Sequence, residues 1–343
     1  MKKWIVVGPA ACLVAAVMAL SAAATSTPTA YNNIPSPAPA NVPSVGGEAY
    51  AFNELGGQVQ LAGPARRNPK VTVLMSSWGC QSGNWYTATC TTTPGSGFTL
   101  PITLKIYTVG PANAVGSLIA TKTRTFSIPY RPSSDPVNCT GGRWFNAANS
   151  TCYNGYATPI TFSFTGMTLP PNVIVAAAYN TTHYGYAPYG QSKPCYTSSG
   201  GCGYDSLNIG LIDNSALGYP TQPTVGSDPT AGLYQNSPIG GVYCDGGAGG
   251  TGSFRFDYSP GCWDPYQPAF KVSVTRPLCV VPDLTGMSIP AAKAAITAAN
   301  CTLGSVTKIT TGPGPHLYLV TSQKPAAGRS LLYPGYVSFT ATG

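Results

Sequence analysis

Charge is what this chain has least of. Only 8% of its 343 residues are Asp, Glu, Lys or Arg, against about 25% in an ordinary globular domain. Few groups are therefore left for acid–base chemistry, and ion pairs cannot dominate the surface. Histidine is nearly absent, with His183 and His316 alone. No Cys-x-x-Cys pair occurs, so the usual zinc spacing is missing. There is no Gly-x-Ser-x-Gly elbow and no Asp-x-Asp-x-Asp run, which removes the simplest serine-hydrolase and calcium-loop signatures. Basic residues are scattered apart from Arg66-Arg67 and Lys70, so no basic stripe suits nucleic acid. After Leu20 no apolar run reaches membrane-spanning length.

What is present is Gly (40), Pro (33), Tyr (21) and abundant Ser and Thr, the composition of a hydroxyl-rich, turn-rich β protein. Lys2-Lys3, the apolar run Trp4 to Leu20 and Ser21-Ala22-Ala23-Ala24 read as a secretory signal peptide over 1–24, cleaved after Ala24. Losing Lys2 and Lys3 leaves sixteen basic residues against 10 acids, about +6, a weak attraction to acidic envelope polymers. Residues 25–48 are Pro-rich and read as a linker or disordered arm. Ten cysteines then remain, an even number in an exported chain, and point to disulfides. Their spacing favours neighbour pairing: Cys80–Cys90, Cys139–Cys152, Cys195–Cys202, Cys244–Cys262 and Cys279–Cys301.

From 49 to 276 the pattern is short strands separated by Gly, Pro and Asn. Nine are expected: 57–61, 70–76, 101–109, 117–128, 159–164, 172–179, 207–212, 254–258 and 269–275. Ile102, Leu104 and Ile106 alternate with Thr103, Lys105 and Tyr107, the period of a half-buried strand. No amphipathic helix of useful length interrupts them. The fold class is thus mainly β, a large β-sandwich or jelly-roll-like domain, followed by a small α+β domain over 277–343. Two smaller β domains meeting near 215–238 are the alternative.

The last segment is the most specific. Val281-Pro282-Asp283-Leu284 and Gly286-Met287 lead to Ser288 as an N-cap, Pro290 in the first turn and an Ala-rich helix over 291–299, with Asn300 as its C-cap. Strands at 306–310, 317–322 and 335–341 follow, giving one helix on a three-stranded sheet. The order V-P-D-L-x-G-M, AKAAI and S-Q-x-P-A-A-G resembles a PASTA domain, a small module of bacterial wall proteins. The resemblance covers about 65 of 343 residues. It implies contact with peptidoglycan or another cell-wall glycan.

In the large domain, two cysteine-bounded loops share Gly-x-Trp-aromatic-x-Ala: Gly83 to Ala88 and Gly142 to Ala147. Trp85, Tyr86, Trp144 and Phe145, with Arg143 beside them, are candidate glycan-binding residues, because a pinned ring is a flat, pre-ordered stacking surface. The competing reading folds each Trp inward as a small core for its own loop. His183, in a Tyr-rich stretch over 181–190, has no nucleophile beside it and reads as a turn residue. Glycoside hydrolysis needs two facing carboxylates. The acids here are Glu54, Asp135, Asp205, Asp213, Asp228, Asp245, Asp257 and Asp264, mostly in turn contexts. No catalytic residue, metal or cofactor is assigned, and the oligomeric state stays open. These readings imply an exported, non-catalytic, envelope-associated binding or structural protein, without nucleic-acid partners and free of the membrane once the signal is removed. The alternative is a secreted, wall-directed carbohydrate-active hydrolase tethered by the tail.

Overall fold

The computed structural model describes residues 28–83, 85, 87–181, 207–213, 223–258, 266–275, 279–331 and 335–343. One sheet runs in the order β1 (Thr29–Asn32), β15 (Phe270–Thr275), β4 (Arg67–Ser77), β11 (Leu207–Asp213) and β14 (Tyr266–Pro268). To it are added β2 (Ser44–Val45) on β11 and β9 (Tyr156–Ser163) on β4. The other sheet is antiparallel, in the order β13 (Arg255–Asp257), β12 (Leu233–Gln235), β3 (Glu54–Gln60), β10 (Asn172–Ala178), β5 (Gly97–Val109) and β6 (Val115–Pro129). Their inner faces make one core. Val71, Val73 and Met75 of β4 and Phe270 and Val272 of β15 meet Leu55 of β3, Ile102, Leu104 and Ile106 of β5, and Val173 and Val175 of β10. This is a β-sandwich, and its single core joins strands from both sides of 215–238, which replaces the two-domain alternative. All nine expected strands form, within a few residues of their expected bounds.

The stretch 25–48 departs from expectation. From Pro28 onward it is built into the sandwich rather than hanging as an arm. β1 pairs with β15, and β2 pairs with β11. Tyr31 is 1% exposed, and Val42 joins Leu74, Ile212 and Ala269 in a second small core on the outer face of the first sheet. The reason is apolar mass. Leu74 points away from the main core, so that face needs a cover, and Ile34 and Val42 supply it, while Val45 joins the main core. A single turn, α1 (Gly47–Tyr50), then leads into β3.

The sandwich edge is closed by charge. Lys122 Nζ and Arg124 Nη1 of edge strand β6 donate to the carbonyls of Ser163 (2.6 Å) and Thr161 (2.7 Å) on β9. Capping those carbonyls with cations blunts a row of acceptors that another strand could otherwise pair with. A hairpin of β7 (Trp144–Asn146) and β8 (Thr151–Tyr153) stands off the sheets.

In the C-terminal segment, β16 (Cys279–Val280) pairs with β19 (Ser330–Leu331). β17 (Thr302–Ile309) runs parallel to β20 (Tyr336–Thr342), and β18 (Leu319–Lys324) antiparallel to it. The helix α2 (Ile289–Ala298) starts as the sequence implies: Ser288 Oγ accepts from Ala291 N at 3.4 Å and Pro290 lies in the first turn. Asn300 sits one residue past the C-cap Ala299, in the left-handed conformation. Ala292 and Ile296 pack onto Val320, Val337, Phe339 and Ala341, a core of its own. Among the described residues no helix is long and apolar enough to cross a membrane.

Candidate functional site

Three expected cystines form: Cys80–Cys90, Cys139–Cys152 and Cys279–Cys301, with Cα–Cα distances of 5.5, 5.8 and 4.6 Å. Cys244 is also disulfide-bonded. Cys195, Cys202 and Cys262 lie outside the described residues.

The first two cystines pin the two Trp-bearing loops, and the loops pack on each other. A Cβ added to Gly142 would lie 2.0 Å from the Trp85 carbonyl oxygen and 3.2 Å from Ala88 Cα. Gly142 also has φ +70°, so both the contact and the backbone require glycine there. The strap Arg131–Asp135 stitches the pair. On one side Arg131 N donates to Gly79 O, Ser134 N to Cys90 O, and Thr92 N to Ser133 Oγ, all at 2.9 Å. On the other, Asp135 N donates to Arg143 O at 2.9 Å, and Ser134 Oγ to Gly142 O at 2.8 Å.

Arg131 is the unusual member. It is 0% exposed. Its Nη2 donates to Gly142 O at 2.6 Å and its Nε to Pro132 O at 3.3 Å, while Nη1 has no partner. Neither ion pair among the described residues involves it, and burial pushes its pKa down to about 10. It remains charged at neutral pH, so the fold bears an uncompensated buried cation. Replacing even a paired buried charge set by apolar side chains of similar volume is often neutral or stabilising by about 1–4 kcal/mol, and a lone buried cation has no Coulombic partner to lose. Gly142 O would still receive Ser134 Oγ. Arg131→Met is therefore expected to raise stability by about 1 kcal/mol, and Arg131→Ala to lower it by about 2 kcal/mol through the cavity. Urea denaturation of both variants at pH 7 checks the pair.

The five candidate glycan contacts separate. Trp144 folds inward: it is 5% exposed, donates Nε1 to Gly155 O at 2.8 Å and packs against Tyr153 and Tyr156. Its ring face is spent on the loop's own core, so it is withdrawn as a stacking surface. Trp85 is half-buried, edge-on to Trp78 with ring centroids 4.9 Å apart. Phe145 alternates to the other side of β7 from Trp144 and is half-exposed. Arg143 is fixed by two 2.9 Å bonds from its guanidinium to Thr140. Tyr86 lies outside the described residues, as does His183 with most of its Tyr-rich stretch. The candidates that keep exposed surface are Trp85, Phe145 and Arg143, with Trp78 packed edge-on against Trp85 and Arg131 bonded to the Gly142 carbonyl beside Arg143. Trp78 and Arg131 lacked any sequence signal beyond lying near Cys80 and the second loop. Their roles come from contacts between segments.

The carboxylates are dispersed. Glu54 is buried and receives Lys105 Nζ at 2.6 Å and Tyr107 Oη at 2.7 Å, which raises the Tyr107 pKa through burial and then the bond to Glu54. Asp135 caps its own turn through Val137 N and Asn138 N, both at 3.0 Å. Asp245 receives Arg255 Nη2 at 2.8 Å, and that bond leads in pulling its pKa down to about 2. Asp257 Oδ2 receives Gln235 Nε2 at 2.7 Å. Asp228 accepts from Tyr31 Oη; burial pushes its pKa up to about 6 against the opposing pull of that bond. Of these five acids, Glu54, Asp135 and Asp228 have partners of their own, while Asp245 and Asp257 share the neighbourhood of Arg255. Asp205 and Asp264 lie outside the described residues.

Asp228 makes stability pH-dependent. Its folded pKa of about 6 lies above the ordinary 3.8, so the folded state holds the proton more tightly than the unfolded one. The contribution is full below about pH 4 and is lost as pH rises through about 6, a fall of about 3 kcal/mol. Urea midpoints between pH 4 and 7 should decline for the parent chain relative to Asp228→Asn, which removes this titration.

A concavity of about 380 Å³ lies between the sandwich and the C-terminal segment, lined by Pro28, Ala62, Pro64, Val274, Asn300 and Thr302 among others, with no charged side chain. Among the described residues no group of three metal-ligating side chains occurs. No protein-family model, curated protein or solved structure matches the chain.

Proposed function

We propose that the chain is an exported, non-catalytic binding protein of the cell envelope, whose C-terminal module holds peptidoglycan while the sandwich is displayed outward. The reading is carried by the C-terminal segment: a Ser-capped helix on a three-stranded sheet with its own core, in the element order that the PASTA resemblance implies. Cystine-pinned loops and the scarcity of charge fit an oxidising, extracellular setting. Engagement of the described acids in structural bonds, Glu54 with Lys105 and Tyr107 and Asp245 with Arg255, favours binding over glycoside hydrolysis, whose two carboxylates must be free to act across a cleft. On the sandwich, Trp85, Phe145 and Arg143 form the glycan-contact surface.

The test is co-sedimentation of the chain lacking residues 1–24 with purified insoluble peptidoglycan at modest salt. Pelleting in a saturable manner is the expected result. A chain that stays in the supernatant rejects wall binding. Trp85→Ala, compared in the same assay with its thermal stability, reports whether the sandwich loop adds to retention.

A further inference from the structure

The three-stranded sheet of the C-terminal segment buries one face and bares the other. Val320, Val337, Phe339 and Ala341 lie under α2. On the opposite face the pairing register sets Thr307 of β17 and Ser322 of β18 on either side of Thr340 of β20. Strands lie about 4.8 Å apart, so the three hydroxyls form a row about 10 Å long. Thr307 and Ser322 are exposed, Thr340 is half-exposed, and none of the three hydroxyls is bonded within the described chain. One pleat repeat away Ser338 stands opposite Lys324, and beyond it Tyr336 is 58% exposed. At the other end Thr342 lies between Ile309, 48% exposed, and Leu319, 38% exposed.

The sequence of chemistries along this face is ring, cation, hydroxyl row and apolar rim. A flat ring stacks on a pyranose face, unpaired hydroxyls exchange hydrogen bonds with sugar hydroxyls and amides, and a lysine at the margin takes a carboxylate. Charge points the same way. Residues 279–343 carry Lys293, Lys308, Lys324 and Arg329 against Asp283 alone, and Asp283 lies outside this sheet. A neutral or cationic occupant gains nothing from that balance, and an anionic polyol does.

We propose that this bare sheet face is where the C-terminal module holds its ligand, a glycan strand bearing carboxylates, with Tyr336 stacking on a sugar ring, the Thr307–Thr340–Ser322 row bonding its hydroxyls, and Lys324 meeting a carboxylate. This rests on the wall-binding reading above. It adds the face, the residues and the requirement for acidic groups.

The experiment uses the chain lacking residues 1–24 and two insoluble matrices, purified peptidoglycan and uncharged chitin. Tyr336→Ala, Thr340→Val and Lys324→Gln are compared with Lys293→Gln, a change on α2 away from the face. Thermal melting confirms that each variant folds, and Thr340→Val keeps a β-branched shape on the strand. The expected result is retention on peptidoglycan but little on chitin, about tenfold weaker retention for Tyr336→Ala and Thr340→Val, a steeper loss for Lys324→Gln at low salt than at high salt, and no change for Lys293→Gln. If the parent chain is retained and the folded face variants are retained equally, the face is overturned while wall binding stands. If the parent is not retained at all, wall binding itself fails. Equal retention on chitin overturns the requirement for carboxylates. If sedimentation velocity shows a dimer that the face variants dissolve, the face is a contact between copies of this chain and the glycan assignment is overturned.

Discussion

Replacing Cys279 and Cys301 together by alanine is expected to cost the C-terminal module about 3 kcal/mol, because the cystine closes a loop of 22 residues and the entropy of an open loop of that size is of this order. The loss is large against what the module has. Its buried core is nine residues, among them Val281, Leu284, Ile296, Val337 and Phe339, and a single hydrophobic core of a segment this short rarely supplies more than about 3–5 kcal/mol. The bridge ties β16 to Cys301, three residues past the end of α2, so it holds the helix against the sheet at the end where no side chain caps it. Calorimetry of the full chain should show the variant losing a low-temperature transition or moving it below 37 °C, with the sandwich transition in place. Retention on peptidoglycan should fall with it. An unshifted profile would mean that packing alone holds the module.

Tyr31→Ala is expected to destabilise the sandwich by about 4 kcal/mol, at the level of burying and then deleting a full aromatic ring. Tyr31 is 1% exposed and belongs to the main core, and its hydroxyl donates to Asp228. A flexible arm over 25–48 would tolerate the change with no cost beyond a few tenths of a kcal/mol. Urea unfolding followed by tryptophan fluorescence distinguishes the two. The substitution also removes the hydroxyl that faces Asp228, so it should alter the decline in stability between about pH 4 and 6 as well as its level.

The strands and the helix were legible because their signals are local. Ile102, Leu104 and Ile106 alternate with polar neighbours, and Ser288 and Pro290 mark the start of α2 within three residues. Cystine pairing was legible for the same reason: loops of 10, 13 and 22 residues close on themselves. Short strands carried too little pattern. β1 has four residues and β2 two, in a Pro-rich stretch whose composition alone says linker.

The sequence by itself determined the secondary structure of the large strands, the capped helix and the three described neighbour cystines, since each depends on residues close together in the chain. The tertiary structure decided the rest. It folded Trp144 inward while leaving Phe145 on the other side, since the hairpin had to bury one ring to have a core. It set Arg131 between two loops through contacts with Gly79 and Gly142. It paired β1 with β15, some 240 residues away. And it aligned Thr307, Thr340 and Ser322 across three strands. Those placements follow from strand register and from packing between distant segments, where a shift of one residue reverses which side chains face out.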